Sequence, residues 1–124
     1  MIVSMLGTPF AAETEGKMLF LEDVNTRPYQ IDRMLRQLIL AGKLDGVKGI
    51  IFGEMLDCAS SQADVGLLEG MILRVLDWFE GPIGIGLRSG HVSRSNVTLP
   101  FGIEAELNLG AEAILRLLEP AVQI

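Results

Sequence analysis

"KMLFLE", residues 17–22, sets four apolar side chains in a row between a lysine and a glutamate. A run that short, apolar without alternation, describes a strand buried on both faces rather than a helix or a half-wet strand. Strands of that kind belong to parallel sheets, because only crossover helices or a second layer can cover both faces. The reading then requires a second such run, with a helix between the two. "VKGIIFG", residues 47–53, is that run. Between them Ile31, Met34, Leu35, Leu38 and Ile39 recur at helical spacing, with Asp32 expected in the first turn and Gly42 as the stop. The loop "NTRPY" leads in, and Pro28 forces Arg27 out of the helical region.

The same alternation continues. After the polar stretch "DCASSQAD", residues 57–64, a second amphipathic helix is expected through Leu67, Leu68, Met71, Ile72, Val75, Leu76 and Phe79, closed by Gly81-Pro82. "PIGIGL", residues 82–87, is a third strand, with Gly84-Ile85-Gly86 read as a strand end rather than a dinucleotide-binding turn. Strand, helix, strand, helix, strand implies two right-handed crossovers and a parallel βαβαβ sheet. The last third differs. "NVTLPFG", "IEAELNL" and "EAILRLLE" are short and alternating, and they predict a small C-terminal antiparallel hairpin added to the sheet. Propensity alone would allow a helix over "GAEAILRLLE"; the few residues separating it from the preceding strand favour the hairpin.

Composition narrows the function classes. The 124 residues are 49% hydrophobic, enough for one α/β domain spanning residues 1–124 with a core of its own. No apolar run approaches the ~20 residues needed to cross a bilayer. The start "MIVSMLGTPF" lacks the basic region of a secretory leader, so a cytoplasmic location and no membrane association are expected. A net charge of −6, with basic residues in no stripe, argues against nucleic acid. Cys58 is the only cysteine, which excludes an internal disulfide, and no His, Cys or carboxylate spacing suggests a metal.

Ligands of open parallel sheets gather beyond the carboxyl ends of the strands. Glu22 follows the first strand, Glu54 and Asp57 the second, and His91, the only histidine, the third. A histidine and a glutamate at neighbouring strand ends fit the base and orienter of a nucleophilic hydrolase. The nucleophile is missing. There is no G-x-S-x-G turn; Ser89, Ser93 and Ser95 lie too near His91 in sequence to meet it without contortion, and Cys58 has no cation beside it. Other polar and large side chains read more simply. Tyr29 and Arg33 are expected to form a staple at the helix start and a surface salt bridge, Trp78 to pack or meet another subunit, and Met18, Met34 and Met71 to fill the core.

Five stretches in order carry a resemblance: "GTPF" (7–10), "EGKMLFLEDV" (15–24), "RPYQIDRMLRQLILAG" (27–42), "GIIFGEMLDC" (49–58) and "GHVSRSNVTLPFG" (90–102). Together they resemble the C-terminal domain of the LD-carboxypeptidases, the murein tetrapeptide carboxypeptidases whose relatives include microcin immunity proteins. The resemblance implies a three-layer β/β/α domain and a Ser-His-Glu triad divided between two domains. Glu22 of "LED" and His91 of "GH" would be its catalytic members here, with Asp23 a structural or solvated neighbour. The serine and the oxyanion hole would come from an N-terminal nucleophile domain, which residues 1–124 do not include. The substrate implied is a murein tetrapeptide or a related peptide losing its terminal D-Ala, with no cofactor. "LRSGH", residues 87–91, departs from the more apolar approach to the histidine in that family. Alone, the chain is expected to be inactive, and its apolar start "MIVSML" is expected to drive self-association into a homo-oligomer. The alternatives are a non-catalytic peptide-binding or interaction module that keeps the fold, or a microcin-immunity-type peptidase domain.

Overall fold

The computed structural model describes residues 1–122. After a single 3₁₀ turn at Val3–Met5 come β1 (Met18–Leu21), α1 (Pro28–Leu40), β2 (Gly49–Gly53), α2 (Gln62–Val75) and β3 (Ile83–Leu87). The hairpin strands β4 (Ala105–Leu109) and β5 (Ala113–Leu117) follow. The three-stranded sheet has the order β1-β2-β3 with both pairs parallel, and β4 pairs antiparallel with β5. The expected α/β architecture is therefore the one observed.

The central strand is β2, and every one of its residues is buried. Ile50 and Phe52 join Leu19 of β1 in a core with Ile31, Leu35 and Leu38 of α1 and Leu68, Met71, Ile72 and Val75 of α2. Burying each of these larger side chains contributes roughly 2 kcal/mol relative to exposure. Both helices thus lie on one face of the sheet. On the other face Phe20 meets Phe101 at a ring-centroid distance of 6.3 Å, and the hairpin forms the third layer. A cavity of about 540 Å³ lies between them, lined by Phe20, Ile51, Leu99, Leu107, Leu115 and others.

Local chemistry sets the ends of α1. Arg27 is extended (φ −69°, ψ 148°), Pro28 opens the helix, and the Gln30 side chain accepts the Arg27 N–H at 3.0 Å. At the other end Gly42 takes φ +67°, with Gly42 N–H bonded to the Ile39 carbonyl and Lys43 N–H to that of Leu38, both at 2.9 Å. That is the Schellman pattern, and it stops the helix where glycine allows the left-handed turn.

Several expectations are corrected. α2 begins at Gln62, inside the stretch read as a loop, because the Ser61 hydroxyl accepts the Asp64 N–H and caps it. It ends at Val75, so Phe79 packs from beyond the helix, edge-on to the half-exposed Trp78. Leu67 is 70% exposed and belongs to the outer face of α2. Asp32 falls just past the first turn of α1 and pairs with Arg36 instead of capping. Gly84-Ile85-Gly86 lies within β3, and the register slips between Phe52 and Gly53 so that Gly53 faces Leu87. Gly86, at φ +98°, absorbs the extra residue of that bulge. "NVTLPFG" forms no strand. The "MIVSML" start is not left wholly in solvent: Ile2, Val3 and Leu6 pack against the core.

Candidate active site

Because β1, β2 and β3 run parallel, their carboxyl ends share one edge of the sheet. Glu22 follows β1 directly, Glu54 follows β2, and His91 lies in the loop beyond β3. The topology brings Glu22 and His91 into contact across 69 residues of sequence. His91 Nδ1 lies 3.0 Å from Glu22 Oε1 and 3.2 Å from Oε2. The His91 backbone N–H donates to the same Oε1 at 3.1 Å. An ionised carboxylate only accepts, so the neutral imidazole carries its proton on Nδ1 and leaves the Nε2 lone pair available. The Glu22 side chain is 14% exposed, whereas that of His91 is 62% exposed. The pair is a sheltered carboxylate with an imidazole reaching outward.

Two glycines shape the pocket that shelters Glu22. A methyl group on Gly53 would come within 2.7 Å of Glu22 Cγ, and one on Gly90 within 2.8 Å of Glu22 Cδ. Gly90 also sits at φ +94°, where a side chain is strained whatever the space. We therefore expect Gly90→Ala to destabilise the fold by about 2 kcal/mol, from backbone strain and displacement of the carboxylate. Thermal or denaturant unfolding of the two chains checks this; an unchanged midpoint would mean that the loop yields freely.

The loop carrying His91 is tied at further points. Asn96 Oδ1 accepts the Gly90 N–H at 3.3 Å, and Asn96 Nδ2 donates to the Gly90 carbonyl at 2.9 Å. Val97 N–H donates to the Arg88 carbonyl at 2.8 Å. Glu54 takes both donors of Ser93: its N–H at 3.2 Å to Oε2, and its hydroxyl to Oε1. The Ser93 hydroxyl is the main cause holding the Glu54 carboxyl below its usual range; the Ser93 N–H, Arg88 and Arg94 act the same way against a desolvation that opposes them.

Asp23 has a different occupation. Its Oδ1 accepts the Val24 N–H and the Thr26 hydroxyl, both at 2.9 Å, closing the turn after β1. Asp57 is exposed, in the left-handed region at φ +56°. Cys58 is buried in the core, 3.7 Å from the Asp23 carbonyl, and burial pushes its thiol pKa up, away from nucleophilic use. Ser93 points to Glu54, Ser89 is buried and Ser95 is exposed. Among the described residues no serine hydroxyl is hydrogen-bonded to His91. Tyr29, 63% exposed, forms no staple, and Arg33 makes no ion pair among the described residues. Nor do three His, Cys, Asp or Glu side chains among them converge as a metal site.

Residues 1–107 match the family described as the LD-carboxypeptidase C-terminal domain. The chain belongs to that family. It is 38% identical over 109 residues to a probable murein peptide carboxypeptidase of Bacillus subtilis, covering 87% of this chain and 34% of the relative. Its fold matches the crystal structure of muramoyltetrapeptide carboxypeptidase from Oxalobacter formigenes with a TM-score of 0.79 and 34% identity, over 93% of this chain and 40% of that one. The microcin C7 self-immunity protein MccF is a more distant match, with a TM-score of 0.57 and 28% identity over 70% of this chain and 26% of that one. The LD-carboxypeptidase domain described here thus spans about a third of the length of the curated relatives it matches.

Residue types and strand topology gathered Glu22, Glu54, Asp57 and His91 at one sheet edge, and the family resemblance singled out Glu22 and His91. The part played by Gly53 and Asn96 was not read from the sequence. A glycine directly before Glu54 was the available signal for the first; nothing distinguished Asn96 from its loop neighbours.

Proposed function

We propose that this chain is the acid–base half of a serine-type LD-carboxypeptidase that releases the terminal D-Ala of murein tetrapeptides. What carries the proposal is the Nδ1–Oε1 hydrogen bond of 3.0 Å between His91 and Glu22, reinforced by the His91 N–H on the same oxygen. Two relatives named as murein or muramoyltetrapeptide carboxypeptidases support the substrate class. The nucleophilic serine and the oxyanion donors belong to a domain preceding this one, as the greater length of the relatives allows.

In the assembled enzyme His91 Nε2 removes the proton of the serine hydroxyl as its oxygen attacks the scissile carbonyl. Glu22 keeps the imidazole in the Nδ1–H form and stabilises the imidazolium. The imidazolium then delivers its proton to the departing amine of D-Ala. A water molecule repeats the sequence: His91 takes its proton, the acyl–serine ester breaks, and the proton returns to the serine. The reaction would recycle cell-wall peptides in the cytoplasm, with no cofactor.

The isolated 124-residue chain is expected to release no D-Ala from a murein tetrapeptide, because a base and its orienter have nothing to activate. Joining the N-terminal part of the Bacillus subtilis relative ahead of Met1 should restore release, read as free D-Ala over time. Release by the isolated, protease-free chain would defeat the division of labour proposed here. A second reading, a non-catalytic binding module, draws on the departure of "LRSGH", residues 87–91, from the more apolar approach to the histidine in the family. An inactive but folded fusion that still binds the tetrapeptide would favour that reading.

A further inference from the structure

His91 stands on a stretch without regular secondary structure, and its own side chain is 62% exposed, so core packing does not hold it in place. Fixing the backbone of such a loop costs conformational entropy at every residue. One hydrogen-bonded carboxylate is a small restraint against that cost. Two further restraints flank the histidine. On one side the Asn96 amide grips Gly90, with its Oδ1 3.3 Å from the Gly90 nitrogen and its Nδ2 2.9 Å from the Gly90 oxygen. On the other side Glu54 takes the Ser93 N–H at 3.2 Å and the Ser93 hydroxyl as well.

The two grips differ in what they anchor to. Asn96 closes the loop on itself, which fixes its shape but not its place. Glu54 directly follows β2, the central strand, whose five residues are all buried, so its backbone leaves the sheet from its best-packed strand. A carboxylate accepting two donors makes charge-assisted hydrogen bonds, roughly twice as strong as neutral ones. Glu54 therefore ties the shaped loop to the sheet edge at which Glu22 waits. Neither residue hydrogen-bonds the imidazole, whose bonds go to Glu22, and no contact with substrate is needed for this role.

We infer that Glu54 and Asn96 are positioning residues, which fix the 90–96 loop so that the His91 imidazole meets Glu22 in a single tautomer. The inference rests on the reading of His91 and Glu22 as base and orienter, and the test separates the two. His91 is the chain's only histidine, so the imidazole nitrogens of the uniformly ¹⁵N-labelled 124-residue chain give unambiguous NMR signals. With the ring neutral, the native chain should show the Nδ1–H form alone. Glu54→Ala and Asn96→Ala should each shift the signals toward the mixture of tautomers that an unheld imidazole adopts. Glu54→Gln, which keeps an acceptor oxygen for Ser93, should recover most of the native pattern. Melting temperatures run alongside identify a variant that has lost its fold; Ser93→Ala, which removes one donor and leaves β2 untouched, then takes the place of Glu54→Ala.

In the fused enzyme Glu54→Ala should lower kcat on the order of 10- to 10²-fold, the scale of a misplaced catalytic group, with KM changing much less. A native tautomer pattern in both Glu54→Ala and Asn96→Ala would overturn the inference. Glu22→Ala provides the separating control. If Glu22→Ala releases the tautomer while the other two variants do not, positioning by Glu54 and Asn96 fails and the dyad stands. If Glu22→Ala leaves the pattern native, the dyad reading fails and the positioning inference fails with it.

Discussion

His91→Ala, in a fusion that supplies the nucleophile domain, is expected to remove nearly all turnover, a loss on the order of 10⁶-fold in kcat. That loss corresponds to about 8 kcal/mol of transition-state stabilisation. The size follows from the number of proton transfers that pass through Nε2. In the proposed mechanism it takes the proton when the serine attacks, returns it to the leaving amine, and repeats both for water. No neighbour can replace it: Ser93 is committed to Glu54, and the other acids of this edge bond elsewhere or face solvent. The side chain is mostly exposed and its backbone N–H, the second bond to Glu22, survives the substitution. Stability should therefore change little. Steady-state D-Ala release, paired with a thermal melt, measures both quantities. Residual turnover within tenfold of the parent would show that the base lies elsewhere.

The sequence made some of this site legible for a physical reason. Apolar runs without alternation require a buried parallel sheet, and a parallel sheet puts all its carboxyl ends on one edge. Glu22, Glu54 and His91 thus share a neighbourhood that the order of the apolar runs already implies. The same runs made α1 readable, because Ile31, Leu35 and Leu38 keep helical spacing and end at a glycine. α2 was harder at both ends. Its cap lies in a polar stretch where Ser61 looks like any other loop residue, and Phe79 continues the apolar pattern past the real terminus at Val75. Side-chain direction was harder still. Consecutive residues leaving a strand point to opposite sides, so "ED" at 22–23 contains one residue aimed at His91 and one aimed away, and composition cannot say which. The Schellman hydrogen bonds at Gly42 agree with the stop read there, whereas the crowding of Glu22 by Gly53 and Gly90 arises between segments far apart in the chain.

Glu22→Ala should cost the fused enzyme on the order of 10⁴-fold in kcat, less than the loss of the base but far more than Asp23→Ala. Removing the carboxylate leaves Nδ1 without its acceptor. The imidazole is then free to carry its proton on Nε2, where it cannot accept one from serine, and the imidazolium that forms loses the charge beside it. Asp23 offers no substitute, since its Oδ1 already accepts the Val24 N–H and the Thr26 hydroxyl at 2.9 Å. Asp23→Ala should loosen the turn after β1 at a cost of about 1 kcal/mol in stability, with kcat falling less than tenfold. The two substitutions are thus expected to separate: one lowers turnover, the other mainly lowers the melting temperature. Glu22→Gln sharpens the comparison, because an amide fills the space beside Gly53 and Gly90 yet carries no charge to balance the imidazolium. It should behave like Glu22→Ala in turnover and like the parent in stability. If Asp23→Ala proved the more damaging to kcat with its melt unchanged, the orienting carboxylate would be Asp23, and the 3.0 Å contact between Glu22 and His91 would be a loop anchor alone.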